Sequence, residues 1–309
     1  MDILFITSNR LGDAVLTTGL LGHLLEAHGR ARVTVACGPI PAPLFRAVPG
    51  LERLIPLPKR RWGLHWLDLW RAVAGRRWDL VVDLRDSAVS RLVRARRRVL
   101  HRSSPDRVHK VVELGRLLSL DPPPAPRLWI DEAADAAAAR LMPGPGPWLA
   151  LGPAANWTGK EWPAECFAEL AERLTGPGGA LAGARVAVLA GAGEEARCRP
   201  VLDRLGARAA DLAGRTDPMT AAACLRRARL FVGNDSGLMH LAAAAGTPTF
   251  GLFGPTPAAI YAPWGPRAGL VLAPDGAAAP EARMASLTVE AVLQGALALL
   301  ARTGEAAAC

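Results

Sequence analysis

Short apolar runs alternate with stretches of helical spacing along this chain, and the alternation stops once and starts again. Residues 3–7 (ILFIT) form an apolar run closed by Asn9 and Gly12. Within 13–28, Val15, Leu20, Leu21, Leu24 and Leu25 recur at helical spacing, and Gly29 marks a stop. Strand-like runs at 33–37, 54–57 and 80–84 follow, with helical stretches at 62–75 and 86–97. Proline-rich breaks come at 121–126 (DPPPAP) and 143–147 (PGPGP). The second break precedes a strand at 148–151, then a helix at 164–174, a strand at 185–190, and helices at 194–205 and 218–228. A strand at 229–233, a helix at 236–245, a strand at 248–253 and a closing helix at 288–301 complete the chain. Strands alternating with helices imply parallel sheets covered on both faces. The expected fold is α/β, with two Rossmann-like domains, 1–145 and 146–309, whose parallel sheets face each other across a cleft. A length of 309 residues suits two domains. In open sheets of this kind ligands bind at the carboxyl ends of the strands, so the loops that follow strands carry the functional reading.

Composition removes several classes. Half the residues are hydrophobic and 21% are charged, which excludes a disordered chain. The five cysteines are scattered and form no CxxC pair, so neither a disulfide framework nor a zinc ribbon is expected, and a reducing cytosol fits. The N-terminal apolar run is too short for a signal peptide, and no run reaches the ~18 uncharged apolar residues of a membrane span. The expected location is cytoplasmic, with any membrane contact peripheral. Charge is divided unevenly. Residues 1–145 hold 23 Lys+Arg against 14 Asp+Glu, whereas 146–309 hold 14 of each. A polyanionic partner is therefore expected on the first half. Arginines number 34 and lysines 3 (Lys59, Lys110, Lys160), which draws attention to Lys160.

Four loops at strand ends carry the chemistry. The first, Asn9-Arg10-Leu11-Gly12-Asp13, sits where a dinucleotide fold would place GxGxxG; the absence of that fingerprint argues against NAD or FAD. Asp13 has two compatible readings, a helix N-cap and a general base kept ionised by the helix dipole. Gly12 leaves room for a substrate. The second loop, Asn156 to Pro163, places Lys160 just before a helix that Pro163 opens. Lys160 is either a solvated loop lysine or an ammonium that neutralises a diphosphate. The third, Gly233-Asn234-Asp235-Ser236-Gly237-Leu238-Met239-His240, runs from a strand into an Ala-rich helix. Its amides at 236–238 would face an anion. It is neither a P-loop nor a GxSxG elbow, and adjacent Asp235 and Ser236 cannot build a triad with His240. His240 itself is also readable as a packed first-turn histidine. The fourth is the turn Gly254-Pro255-Thr256-Pro257.

Taken together, Leu11-Gly12-Asp13, Lys160-x-Trp162-Pro163, the block from Asp235 to His240 and Gly254-Pro255-Thr256 resemble glycosyltransferase family nine. This is the family of bacterial ADP-heptose:lipopolysaccharide heptosyltransferases. The resemblance implies a GT-B fold and an inverting transfer that needs no metal or other cofactor. It implies an N-domain that takes an anionic lipopolysaccharide-core acceptor through Arg10, Gly12 and Asp13, with Asp13 as the base. It implies a C-domain that takes a nucleotide sugar, ADP-heptose, through Asn156, Lys160, Glu194, Asp235, Ser236, Gly237, Leu238, His240 and Thr256. Lys160 would also act catalytically on the leaving diphosphate, Asp235 would bind donor-sugar hydroxyls and Glu194 a ribose. Glu194 is equally readable as a first-turn acid that favours its helix dipole. Where some relatives carry a threonine pair before the loop lysine, this chain has Ala155-Asn156. Other nucleotide sugars and acceptors, a nucleotide-sugar epimerase or hydrolase, and a non-catalytic glycan-binding relative are the alternatives. No nucleic-acid partner is expected.

The acceptor of such an enzyme is held at the cytoplasmic face of the inner membrane. Lys59-Arg60-Arg61 leads into Trp62, Trp66 and Trp70, and a second basic run comprises Arg91, Arg94, Arg96, Arg97, Arg98 and Arg102. The tryptophans are either a core-facing helix stripe or residues at lipid-headgroup level, and the arginines either a solvated face or phosphate contacts.

Overall fold

The computed structural model describes residues 1–101, 106–144, 146–274 and 279–305; Arg102 and Cys309 lie outside them. The chain divides into two compact units, Met1–Ile130 and Asp131–Cys309.

In the first unit β1 (Asp2–Ile6) runs into α1 (Leu11–Ala27), followed by β2 (Arg32–Cys37), β3 (Leu51–Pro56), α2 (Leu64–Val73) and β4 (Arg77–Asp83). A single turn of helix, α3 (Val89–Leu92), then precedes β5 (Arg94–Leu100) and α4 (Lys110–Arg116). The strands form one parallel sheet in the order β3-β2-β1-β4-β5. Central β1 is buried from Ile3 to Ile6, as a strand covered on both faces must be. The helix expected at 86–97 is therefore a correction: the arginine run is the edge strand β5. Arg98 explains the break. Its guanidinium donates to the carbonyls of Ser90 (2.8 Å), Val93 (2.7 Å) and Ala95 (3.3 Å), so it holds the exit from α3 in place of further helix. Arg91 pairs with Asp86 at 2.5 Å and Arg96 lies 3.6 Å from Asp79. A charged edge also resists pairing with other strands.

The domain boundary also differs from the expected 145. The DPPPAP segment is a strap on α1: a Cβ on Gly19 would lie 2.3 Å from the Pro124 carbonyl, and Thr18 Oγ1 accepts from the Arg127 amide at 3.0 Å. The chain leaves the first unit only after this strap. The next helix, α5 (Glu132–Leu141), is capped by Asp131, which accepts from Ala134 N at 2.8 Å. It packs in the second unit.

That unit continues with β6 (Trp148–Gly152), α6 (Ala164–Thr175), β7 (Arg185–Val188), α7 (Glu195–Leu205), β8 (Ala209–Asp211), α8 (Pro218–Arg226) and β9 (Leu230–Asn234). It closes with α9 (Gly237–Ala244), β10 (Thr249–Phe253), α10 (Ala258–Tyr261), β11 (Ala268–Leu272), α11 (Pro280–Ala285) and α12 (Val289–Glu305). Its parallel sheet has the order β11-β10-β9-β6-β7-β8. Helix α5 lies against α8, where Arg226 and Asp135 pair at 2.5 Å. The core gathers Leu149, Leu151, Phe167, Leu170, Val186, Val188 and Val232, all fully buried. In both sheets the order reverses beside the first strand, β1 or β6, which places the loops after those strands at the switch point where ligands bind.

Candidate active site

In the first unit, the segment after β1 is pinned from two sides. Asn9 Oδ1 accepts from Arg85 at 2.9 Å, and Gly38 N donates to Ser8 O at 3.1 Å. Arg85 is placed by a turn built on Asp83. That carboxylate is fully buried, and accepts from Arg85 N (2.9 Å), Ser87 N (2.8 Å) and Ser87 Oγ (2.6 Å). The guanidinium of Arg85 also lies over the Trp66 ring, 5.6 Å from its centroid. Sequence reading missed this Asp83–Ser87 turn; a strand ending in Asp-Leu-Arg-Asp-Ser was its available signal.

Arg10, not Asp13, is the N-cap of α1, and it makes no side-chain cap bond. Asp13 stands in the first turn, half-buried, with Ser8 Oγ 3.5 Å from its Oδ2. The N-cap alternative is thus corrected: Asp13 is not spent on capping, and its carboxylate is left near the positive end of α1. Gly12 is half-buried and Arg10 exposed.

In the second unit, the segment 153–162 after β6 is held at both ends by one side chain. Fully buried Asn234, at the end of β9, donates from Nδ2 to Pro153 O (2.8 Å) and accepts at Oδ1 from Trp162 N (3.0 Å). Trp162 Nε1 donates to Leu287 O at 2.8 Å. Within the segment, Glu161 Oε1 accepts from Ala155 N and from Arg197 of α7, each at 2.8 Å, and Arg197 also reaches the Ala155 carbonyl. Lys160 is thereby delivered to β9, where its Nζ pairs with Asp235 Oδ2 at 2.7 Å. The lysine side chain is 20% exposed and the aspartate 7%, so the pair sits at the edge of solvent. Asn156 is exposed.

Ser236 is the N-cap of α9, but its side chain caps nothing. Its Oγ is closed off from solvent and, among the described residues, has no hydrogen-bond partner. Gly237 and Leu238 are half-buried at the start of the helix, and His240 is buried one turn in. Thr256 is half-buried in the turn after β10. Glu194, at the N-cap of α7, turns its carboxylate onto Gly191 N at 2.9 Å. The neighbouring Glu195 carboxyl is held below its ordinary range by the Gly193 N–H and its own amide. The structure brings Lys160, Asp235 and Ser236 into one cluster, whereas Glu194 belongs to the separate turn before α7, tied to the 153–162 segment through Arg197.

Three buried cysteines of the described residues are poor nucleophiles. Burial pushes the thiols of Cys37 and Cys198 up to about 12 and that of Cys224 to about 11, so none is a thiolate at neutral pH. Among the described residues no group of three or more His, Cys, Asp or Glu could hold a metal ion, and no helix is long and apolar enough to cross a membrane.

Two parallel α/β units with polar clusters at the carboxyl ends of their central strands are the architecture of GT-B glycosyltransferases. Residues 91–290 match the family model described as glycosyltransferase family 9 (heptosyltransferase), and the chain belongs to that family. It is a glycosyltransferase. A lipooligosaccharide heptosyltransferase 2 of Haemophilus influenzae is 38% identical over 110 residues, 36% of this chain and 30% of that protein. The lipopolysaccharide heptosyltransferase 2 of Escherichia coli is 25% identical over 306 residues, covering 83% of each. The structure of E. coli ADP-heptose lps heptosyltransferase II superposes with a TM-score of 0.80 at 22% identity, over 98% of this chain and 100% of that one.

Proposed function

We propose that the protein transfers a heptose from ADP-heptose to a hydroxyl of the lipopolysaccharide inner core, with inversion at the anomeric carbon. The second unit takes the donor and the first the acceptor. The observation that carries the donor side is the Lys160–Asp235–Ser236 cluster at the start of α9. A cation, a hydroxyl without a partner and the free amides of a helix start converge there, as a diphosphate requires. The relatives' printed activities and the excess positive charge of residues 1–145 support heptose and an anionic acceptor.

In this reaction Asp13 accepts the proton of the acceptor hydroxyl while the oxygen forms its bond to the anomeric carbon. The bond from that carbon to the diphosphate oxygen breaks on the opposite face, and its electron pair leaves with ADP. Lys160 and the amides at 236–238 offset the charge that builds on the departing diphosphate. Asp235 accepts from donor-sugar hydroxyls, Glu194 from a ribose, and Asn156, His240 and Thr256 border the donor. Arg10 and Gly12 border the acceptor.

The test is Asp13→Asn, assayed by ADP release from ADP-heptose with an inner-core acceptor. The variant is expected to fold, to bind ADP as the native chain does, and to lose at least ~10² in turnover, the lower end of general-base catalysis. Turnover near that of the native protein would remove Asp13 from the base role.

A further inference from the structure

The transfer chemistry makes no use of Trp62, the most exposed large apolar side chain in the described molecule at 82%. Its φ is 59°, a left-handed conformation that bulky residues rarely hold, and Gly63 follows at 69°. These two residues turn the ring outward just ahead of α2. The helix itself has two faces. Leu69 and Val73 are buried, and Trp66 and Trp70 pack against the same cluster, so two of the three tryptophans are core residues. Leu64, Leu67 and Arg71, at helical positions i, i+3 and i+7, are exposed. Trp62, Leu64 and Leu67 thus form an apolar ridge among the exposed cations Lys59, Arg60, Arg61 and Arg71. The Arg61 guanidinium stacks 4.9 Å from the Trp62 ring centroid. Asp68 is the one acidic side chain between 59 and 71, and Arg60 already pairs with it.

We infer that this ridge docks the protein on an anionic lipid bilayer. An indole at headgroup depth, leucines beneath it and cations on lipid phosphates are the chemistry of an interfacial anchor. A second copy of the chain fits poorly, because joining two such faces would set like charges against each other. The inference rests on the reading of a lipid-anchored acceptor, and it places the membrane contact at 59–71. The arginine run on β5 offers no comparable ridge: Arg98 is committed to backbone carbonyls and Arg96 lies 3.6 Å from Asp79.

The experiment is co-sedimentation of the full chain with vesicles of phosphatidylcholine alone or mixed with phosphatidylglycerol. Calorimetry with ADP and thermal unfolding are run on every variant. Native protein is expected to bind the anionic vesicles and to leave them as salt rises. Trp62→Ala should lose at least about tenfold in vesicle affinity. Lys59→Gln and Arg61→Gln should each lose about fivefold, which is ~1 kcal/mol per cation near an anionic surface. Arg208→Gln, in the second unit, should lose nothing. ADP affinity should hold throughout, since none of these residues borders the donor. Equal binding to neutral and anionic vesicles, or native-like binding by Trp62→Ala, overturns the inference. So does a Trp62→Ala variant that raises KM for a soluble, delipidated acceptor as much as for a membrane-held one, which would make the ridge a glycan contact. Self-association that disappears in Trp62→Ala would assign it to a second copy instead. Vesicle binding in a protein that does not bind ADP would refute the donor assignment while upholding the docking surface.

Discussion

Asn234 is the side chain whose removal should do the most with the least. It touches no proposed ligand, yet its amide joins Pro153 O and Trp162 N, the two ends of the segment that carries Asn156 and Lys160. Asn234→Ala strands a carbonyl and an N–H beside a position of zero exposure. Each stranded buried group costs about 1–3 kcal/mol, so a loss of about 2–6 kcal/mol is expected, against typical domain stabilities of about 5–15 kcal/mol. The segment would remain tethered through Glu161 and the Trp162 indole, so the unit should fold while Lys160 loses its fixed place. Asn234→Asp sharpens the test. Its ionised carboxylate can still accept from Trp162 N but repels the Pro153 carbonyl. Once protonated it matches asparagine, with O–H donating to Pro153 O. Burial and the facing carbonyl raise the folded pKa of such an aspartate above its unfolded value, so the folded state holds the extra proton. The stability this confers is present at low pH and lost as pH rises through the folded pKa. Urea unfolding and ADP calorimetry are the assays. Asn234→Asp should recover towards the native protein between pH 8 and about pH 5, whereas Asn234→Ala should not. An alanine variant within about 0.5 kcal/mol of native with unchanged ADP affinity would refute the clamp, as would an aspartate variant indifferent to pH.

Two further outcomes follow from named contacts. Lys160→Ala removes a charge-assisted contact worth about 1.5–3 kcal/mol, so calorimetry should show ADP affinity falling roughly 10–150-fold; unchanged affinity would take Lys160 out of the diphosphate site. Glu113 bonds Lys110 at 2.7 Å and His101 at 2.8 Å; burial raises its carboxyl, but these two partners outweigh that and hold it below the ordinary 4.5. Its contribution is therefore fully present above about pH 4.5 and is lost as pH falls through the folded value. Glu113→Gln should melt below the native protein at neutral pH, and the gap should close in acid.

The legible parts of the fold were those where burial imposes a period. Strands β1, β2, β6, β9 and β10 are buried almost throughout, and each reads as an apolar run. Strand β5 does not, because an edge strand has one neighbour and can carry arginine at Arg94, Arg96, Arg97 and Arg98 without burying charge. Spacing alone cannot distinguish it from a solvated helix. Its identity comes from its parallel pairing with β4, a tertiary fact. Strands β8 and β11 were missed for related reasons: β8 has three residues, and edge strand β11 leaves Leu272 55% exposed. The unit boundary differs from the expected 145 because the PGPGP break at 143–147 reads as a linker, whereas the helix before it, α5, packs on α8 of the second unit, which spacing does not reveal.

The site was legible as a set of residues but not as a set of relations. Lys160 and Asp235 stand 75 positions apart, and each was assigned separately, the lysine to a diphosphate and the aspartate to sugar hydroxyls. The structure bonds them to each other. This changes what the donor must do. An ammonium at 2.7 Å from a carboxylate that is 7% exposed is already neutralised, so a diphosphate that takes Lys160 leaves Asp235 with an unpaired, poorly hydrated charge. Only a ligand that also brings hydroxyl donors restores the balance. In the proposed reaction the transferred sugar would supply them at Asp235, whereas the ribose hydroxyls of ADP are assigned to Glu194. The same pair would therefore favour the loaded donor over the spent one and help release ADP after the sugar has gone. Under the proposed reaction such a preference would reside in the bond between the two residues and in the Asn234 contacts that align the segment bearing Lys160. Neither can be read from a motif, because a motif records which residues are present and not which of them neutralises another.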